Sequence, residues 1–131
     1  GHLVLASLHS RSAPSAIERI IDTYPPERQG QIRVMLADSL RAVVAQRLLP
    51  REQGDGRVVA AEILRVSNSV ANAIRESKMG SIKSAMQAGR AEGMIPLERS
   101  LADLVRKNLV APDVARAAAN DPATLAQYLT L

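Results

Sequence analysis

The chain opens with apolar residues that do not alternate with polar ones. Leu3 to Ala6 are all apolar, and the segment ends in the polar residues Ser7, His9 and Ser10. An unbroken apolar run is typical of a strand covered on both faces of a mostly parallel sheet. Ligands of such sheets bind beyond the carboxyl ends of the strands. The pattern therefore predicts a buried strand over residues 3–8, with Ser7, His9 and Ser10 at a ligand-facing end.

Two amphipathic helices are predicted next. Ser12 is suited to cap the first and Pro14 to lie in its first turn, while Pro25-Pro26 ends it. The second helix is predicted to begin near Pro26 and to reach a helix–strand corner at Gln46. Its apolar stripe recurs with a helical period and comprises Ile32, Met35, Leu36, Leu40, Val43 and Val44.

A β-hairpin is predicted after this helix. Leu48-Leu49 and the apolar segment 58–64 flank Gly54-Asp55-Gly56, whose glycines permit the positive backbone angles of a tight turn. Glu62 stands within the second apolar strand. A buried carboxylate has to be paired or neutralised, so we expect an ion pair between Glu62 and Arg41 or Arg47.

From Ser67 onwards the pattern is helical. Ser67 or Asn68 is expected to cap a short helix, and further helices are predicted over about 81–90 and from Pro96, Pro112 and Pro122. The final segment, residues 124–131, is typical of a mobile terminal extension.

Composition narrows the possible functions. The 131 residues are 47% hydrophobic, with no Cys, Phe or Trp, so the core must be aliphatic and disulfides are excluded. The net charge of +4 comes from basic residues scattered among 13 acidic ones, and there are only two Tyr. Such a chain lacks the stacking surface of a single-strand binder, which argues against nucleic acid as a partner. No apolar run approaches the roughly 20 residues that span a bilayer.

The sequence contains no phosphate loop. That motif, G-x-x-x-x-G-K-[ST], cradles phosphates with backbone amides and a lysine. None of the seven glycines begins that spacing, and no acidic run follows an apolar strand as in a Walker B segment. We therefore expect a fragment of a longer protein, since a bare core strand requires neighbours.

Four motifs, in order, resemble the type II/type IV secretion ATPases. Gly1-His2-Leu3-Val4 with Ser7-Leu8-His9-Ser10 resembles their histidine box, nearest to T-G-H-L-V…T-L-H-T of the twitching-motility branch. Segment 35–48 resembles M-L-x-E-S-L-R-x-V-I-x-Q-x-L, and segment 56–64 resembles G-R-V-A-A-x-E-I-L. Segment 69–76 resembles A-I-R-N-L-I-R-E of the retraction ATPases, with Ala71 replacing an arginine and Ala73 replacing the leucine.

The resemblance implies an α/β fold: the C-terminal part of a RecA-like P-loop ATPase core over residues 1–66, then an α-helical subdomain over 67–131. It implies that His9 lies near the terminal phosphate of the nucleotide and senses it, with Ser7 and Ser10 holding His9 in place. The retraction-linked helix would be represented by Asn72, Ile74, Arg75 and Glu76. No metal ligands are expected in this chain.

For the parent protein, the resemblance implies a hexameric, ATP-hydrolysing motor that uses ATP and Mg²⁺. It would be cytoplasmic, peripheral to the inner membrane, and partnered by platform proteins of the type IV pilus or type II secretion machinery. The chain alone should be inactive. The replaced arginine leaves an accessory or extension ATPase paralogue open, and a stand-alone helical interaction module is the further alternative.

Overall fold

The structure is a computed structural model that describes residues 2–130. Its fold combines α-helices with one antiparallel β-hairpin. Over that range the helices are α1 Ala13–Asp22, α2 Pro26–Ser39, α3 Asn68–Arg75, α4 Met79–Ala88, α5 Leu97–Arg106, α6 Pro112–Ala118 and α7 Pro122–Thr130. The strands are β1 Ala42–Pro50 and β2 Arg57–Arg65, and a short 3-10 helix spans Gly89–Glu92. The fold is mixed α/β, as predicted.

Residues 2–10 do not form the predicted strand. The segment has no regular secondary structure, and Leu3 and Leu5 are 81% and 89% exposed. A strand needs a neighbour to satisfy its backbone groups, and the sheet of the described chain contains β1 and β2 alone. The predicted buried strand is therefore wrong for the described chain, because a strand does not form where no strand lies beside it.

The hairpin begins earlier than its sequence pattern indicated. Helix α2 ends at Ser39 and β1 begins at Ala42, so Val43 and Val44 are strand residues and Gln46 lies in mid-strand. The predicted helical stripe was therefore wrong at its end. Val43 and Val44 pair with Leu64 and Ile63 of β2, and β-branched residues fit a pleated surface better than a helix.

The predicted hairpin turn is confirmed. The two strands pair antiparallel from Ala42 opposite Arg65 to Pro50 opposite Arg57. Gly54 and Gly56 adopt φ of 77° and 96°, the left-handed region that glycine enters without steric cost.

Two apolar clusters form the core. The first joins the buried faces of α1, α3 and α4 with residues of α2 and β2, and is centred on Ile17, Ile21, Leu64, Val70, Ile74 and Ile82. The second joins the hairpin to α5, α6 and α7, and is centred on Ala60, Leu97, Leu101, Val110, Ala115 and Leu125. The division of the chain after residue 66 stays a prediction.

The C-terminal segment is packed rather than loose. Helix α7 lies on α5, and Leu125 is 1% exposed within the second cluster. The predicted mobile extension is therefore wrong for residues 124–130, and Leu131 lies outside the described residues. The reason is the apolar spacing of Leu125 and Leu129, which places both on the side facing α5 and α6.

Candidate functional site

His9 lies in the turn that leads into α1. Its side chain is exposed, and its carbonyl oxygen accepts a hydrogen bond of 2.5 Å from Nη1 of Arg19. Three residues later, Ser12 caps the helix as predicted, with its Oγ accepting from the Ser15 amide at 3.3 Å and Ser15 Oγ accepting from the Ser12 amide at 3.1 Å. This reciprocal capping box fixes where the turn ends and leaves the His9 imidazole facing solvent.

Ser7 and Ser10 flank His9 in sequence. Ser7 is exposed and Ser10 is half-buried. Among the hydrogen bonds of residues 2–130, none links either hydroxyl to His9. The roles predicted for all three residues remain predictions.

Glu62 stabilises the start of α1, but not through the predicted ion pair. Its Oε1 accepts a hydrogen bond of 2.6 Å from the amide of Ala13, and the residue is 6% exposed. In the described chain neither Arg41 nor Arg47 lies within ion-pair distance of it. The positive end of the α1 dipole and a free backbone amide take the place of the arginine.

Burial raises the pKa of Glu62, and the negative charge of Glu98 raises it further. The backbone amides of Ala13 and Leu97 and the more distant charge of Arg47 act in the opposite direction but do not outweigh burial. A carboxylate removed from water loses hydration that these amides only partly replace. Glu62 therefore takes up a proton more readily than an exposed glutamate.

Arg47 joins the turn before α1 to the junction between α6 and α7. From the buried face of β1, its Nη2 donates to the Arg11 carbonyl at 3.4 Å and to Oδ1 of Asn120. Its Nη1 donates to the Ala118 carbonyl. One planar guanidinium thus holds two segments that are far apart in sequence, which is a use suited to its fixed fork of donors.

The α6–α7 junction is also held by Glu98 of α5. Oε1 of Glu98, a buried residue, accepts from the amides of Asn120 at 3.1 Å and Asp121 at 3.0 Å. Asp121 in turn pairs with Lys83 of α4 at 2.7 Å, and this hydrogen bond holds the pKa of Asp121 well below its usual range. Three elements therefore converge on residues 118–121.

A small cleft separates this junction from the start of α1. It has a volume of about 160 Å³, and its lining includes Ser12, Pro14, Glu62, Lys83, Glu98 and Asn120. The two buried glutamates therefore line a common space, each bound to the backbone of a different helix start.

The predicted functional helix is α3. Asn72 and Arg75 lie on its exposed side, where Nη1 of Arg75 donates to Oδ1 of Asn72 at 2.8 Å and Nη2 pairs with Oδ1 of Asp38 at 2.5 Å. Ile74 points into the first apolar cluster, and Glu76 pairs with Lys78 at 2.7 Å. Over residues 2–130 no hydrogen bond or ion pair joins this group to His9. The structure therefore brings together Asn72 and Arg75, but not α3 and the histidine segment.

Sequence reasoning missed Asp38 and Glu98, and it assigned Arg47 to the wrong partner. Asp38 stands where the family pattern has a glutamate. The acidic residue at this position could have indicated that an ion pair forms there. Glu98 lies in the first turn of the amphipathic helix α5, where an acidic residue is common at the surface, so nothing in the sequence indicated its burial. Arg47 gave no local signal, because its acceptors are carbonyl and amide oxygens of distant segments.

A phosphate-loop motif is missing from the sequence, and over residues 2–130 no three His, Asp or Glu side chains are grouped as metal ligands. Within the same range, no helix is both long and apolar enough to cross a bilayer.

Comparison with known proteins decides the family. The family model described as "Type II/IV secretion system protein" matches residues 1–121. The chain belongs to this family. It is 44% identical over 116 residues to a twitching motility protein of Neisseria gonorrhoeae, covering 88% of the chain and 31% of that protein.

Two further relatives agree with this assignment. The type IV pilus retractation ATPase PilT of Pseudomonas aeruginosa is 40% identical over 122 residues, which cover 93% of the chain and 35% of that protein. The crystal structure of the pilus retraction motor PilT with bound ADP matches with a TM-score of 0.86 and 35% identity, over 97% of the chain and 35% of that structure. The chain spans about a third of the length of these relatives.

Proposed function

We propose that the chain is the C-terminal portion of a motor ATPase that powers pilus retraction in twitching motility. The observation that carries the proposal is the match to the pilus retraction motor, which extends over 97% of the chain with a TM-score of 0.86. The relatives at 40% and 44% identity are named for pilus retraction and for twitching motility, respectively. A chain this similar in sequence and fold is expected to serve the same kind of machine.

In the whole motor, ATP and Mg²⁺ would bind to segments beyond these residues. His9 would contribute an imidazole close to the terminal phosphate, with Ser7 and Ser10 beside it. The motor would be a cytoplasmic hexamer that acts at the inner membrane on pilus platform proteins. Asn72, Ile74, Arg75 and Glu76 would form the part of α3 linked to retraction. These assignments rest on the family resemblance of the motifs.

The isolated chain should not hydrolyse ATP, because it has neither the phosphate loop nor the acidic metal ligands that phosphoryl transfer requires. Phosphate release by the purified chain should equal that of buffer. Turnover that survives repurification would contradict this, and a His9→Ala sample prepared in parallel would show whether it came from a contaminating ATPase.

The role of His9 can be tested in the full-length motor. Loss of one well-placed donor to a developing charge should lower turnover on the order of 10²-fold in His9→Ala, with little change in melting temperature. A His9→Ala protein that melts early but whose folded fraction turns over normally would make His9 a structural residue.

A second candidate function is a stand-alone interaction module. The exposed apolar residues Leu3, Val4 and Leu5 favour it, since such a segment can add a strand to the sheet of a partner. The intact mass of the natural protein separates the two candidates. A mass near 14.1 kDa favours the module, whereas a mass about three times larger, expected from the 31–35% coverage of the relatives, favours the motor. An accessory or extension motor would be distinguished from a retraction motor by its deletion phenotype.

A further inference from the structure

A surface hollow on the C-terminal helices is lined almost entirely by arginine. It has a volume of about 230 Å³ and is lined by Arg90, Arg99, Arg106 and Tyr128. These residues come from the 3-10 helix, from α5 and from α7. Three arginine side chains therefore line one space, and among residues 2–130 no Asp or Glu lines it.

The three arginines are carried by well-packed elements. Arg99 and Arg106 are seven residues apart on α5, close to two helical turns, so they project from the same side of a helix whose opposite side is buried through Leu97, Leu101 and Leu104. Arg90 follows Gly89, which is buried against Met94: a Cβ at Gly89 would lie 2.6 Å from the Met94 sulfur. Buried residues of the same elements therefore hold the backbone positions from which the three arginine side chains extend.

Arg106 is further ordered by hydrogen bonds. Its Nη1 donates to the carbonyl of Tyr128 at 3.1 Å, and its Nη2 pairs with Oδ1 of Asp103 at 2.6 Å. These contacts fix the guanidinium at the wall of the hollow and link α5 to α7. By contrast, the ion pairs found over residues 2–130 include neither Arg90 nor Arg99.

The electrostatic balance of the hollow favours an anion. Three positive groups and the single charge of Asp103 leave an excess of two positive charges, and like charges brought together repel one another. Guanidinium groups present paired N–H donors whose spacing matches the oxygens of phosphate. An oxyanion in the hollow would relieve the repulsion and accept hydrogen bonds from Arg90 and Arg99, which form no ion pair within residues 2–130.

We propose that this hollow is a phosphate-binding site, separate from the site assigned to His9. Arg90 and Arg99 supply guanidinium donors, Arg106 supplies a fixed positive wall, and Tyr128 closes one side. The ligand class is a phosphate group with at least two free oxygens. The same chemistry is offered by a soluble phosphate or by the headgroup of an anionic lipid.

Binding should be measured on the full chain by isothermal titration with inorganic pyrophosphate at low ionic strength, where exposed charges are least screened. Co-sedimentation with phosphatidylglycerol vesicles, with phosphatidylcholine vesicles as reference, tests the lipid source. Saturable binding of either probe that weakens about 10-fold in Arg99→Gln supports the site. Loss of one hydrogen bond to a charged group is expected to lower the affinity by at least about that factor. Which probe binds identifies the source.

Arg57→Gln is the matched control, because Arg57 is exposed at the start of β2, outside the hollow, and the substitution removes the same charge. Arg90→Gln, at an exposed position of the 3-10 helix, repeats the test should Arg99→Gln lower the melting temperature. The proposal is overturned if neither probe binds saturably, or if Arg57→Gln weakens binding as much as the two hollow variants.

Discussion

The two faces of the β1–β2 hairpin carry similarly apolar residues in opposite environments. On one face, Ala60 and Leu64 are 0% exposed beneath the helices. On the other, Val44 and Leu48 are 55% and 59% exposed, and Val59 opposite Leu48 is also exposed. Both faces belong to the same strands in one register, so strand propensity does not distinguish them. The difference is the position of α1, α5 and α6, which contact the hairpin.

This comparison shows what the apolar pattern of a strand encodes. Strands that are apolar on both faces are typical of a sheet enclosed between two layers. Within residues 2–130 one of those layers is present. The exposed face of the hairpin and the segment at residues 3–5 each expose apolar side chains, and exposed apolar surface favours association.

The largest expected effect is on the buried face. Leu64→Ala should lower the free energy of unfolding by about 2–5 kcal/mol, through lost burial and the cavity left in the first cluster. Leu48→Ala, on the exposed face of the same hairpin, should change it by less than about 0.5 kcal/mol. Urea denaturation measures both. Equal losses would mean that Leu48 is covered in solution and would remove the contrast between the faces.

Glu62 tests the polar contact on the buried face. Glu62→Ala leaves the Ala13 amide without its acceptor and should cost about 1–3 kcal/mol of unfolding free energy. Glu62→Gln keeps an acceptor of the same shape and should cost less. If both variants unfold at the same urea concentration as the unaltered chain, the start of α1 does not depend on this hydrogen bond.

The raised pKa of Glu62 gives a pH dependence with a definite sign. The folded state holds the proton more tightly than the unfolded state, so the contribution of Glu62 is fully present below the ordinary carboxyl pKa and is lost as pH rises through the folded-state pKa. Glu62→Gln should remove this decrease in the free energy of unfolding with rising pH, which is at most about 1.4 kcal/mol per pH unit. Unfolding curves recorded between acidic and neutral pH measure the difference. Identical slopes for the two proteins would show that the pKa of Glu62 is not raised.

The smallest effect on stability, and a large one on association, is expected on the exposed face. Leu48→Lys should alter the unfolding free energy by less than about 0.5 kcal/mol, yet it should reduce self-association because it places charge on an apolar surface. Multi-angle light scattering over a concentration series measures this. Lys substitution at Gln46, a neighbour on the same face, serves as a control that adds charge without removing an apolar side chain. An unaltered chain that stays monomeric at high concentration would contradict the expectation.

Much of the fold could be predicted from the sequence because its signals are local. Ser12 and Ser67 cap the helices expected of them, with their hydroxyls accepting from Ser15 and Val70 amides. Gly54 and Gly56 turn the hairpin as expected. The candidate site was harder to predict from the sequence. Glu62 was recognised as a buried acid, but its partner was expected to be an arginine and is the backbone amide of Ala13. The roles of His9 and of α3 stay predictions, because they depend on a nucleotide and on partner surfaces.

By itself the sequence determined the capped starts of α1 and α3, the hairpin turn and the family, since each depends on residues close together along the chain or on motifs in a fixed order. Tertiary structure alone decided that Glu62 bonds to Ala13, that Arg47 links Arg11 to the α6–α7 junction, and that Val43 and Val44 join a strand. It also decided that residues 3–8 lie exposed. Each of these outcomes depends on which distant backbone groups lie nearby, because a buried polar group bonds to whatever partner the packing provides and a strand forms only beside another strand.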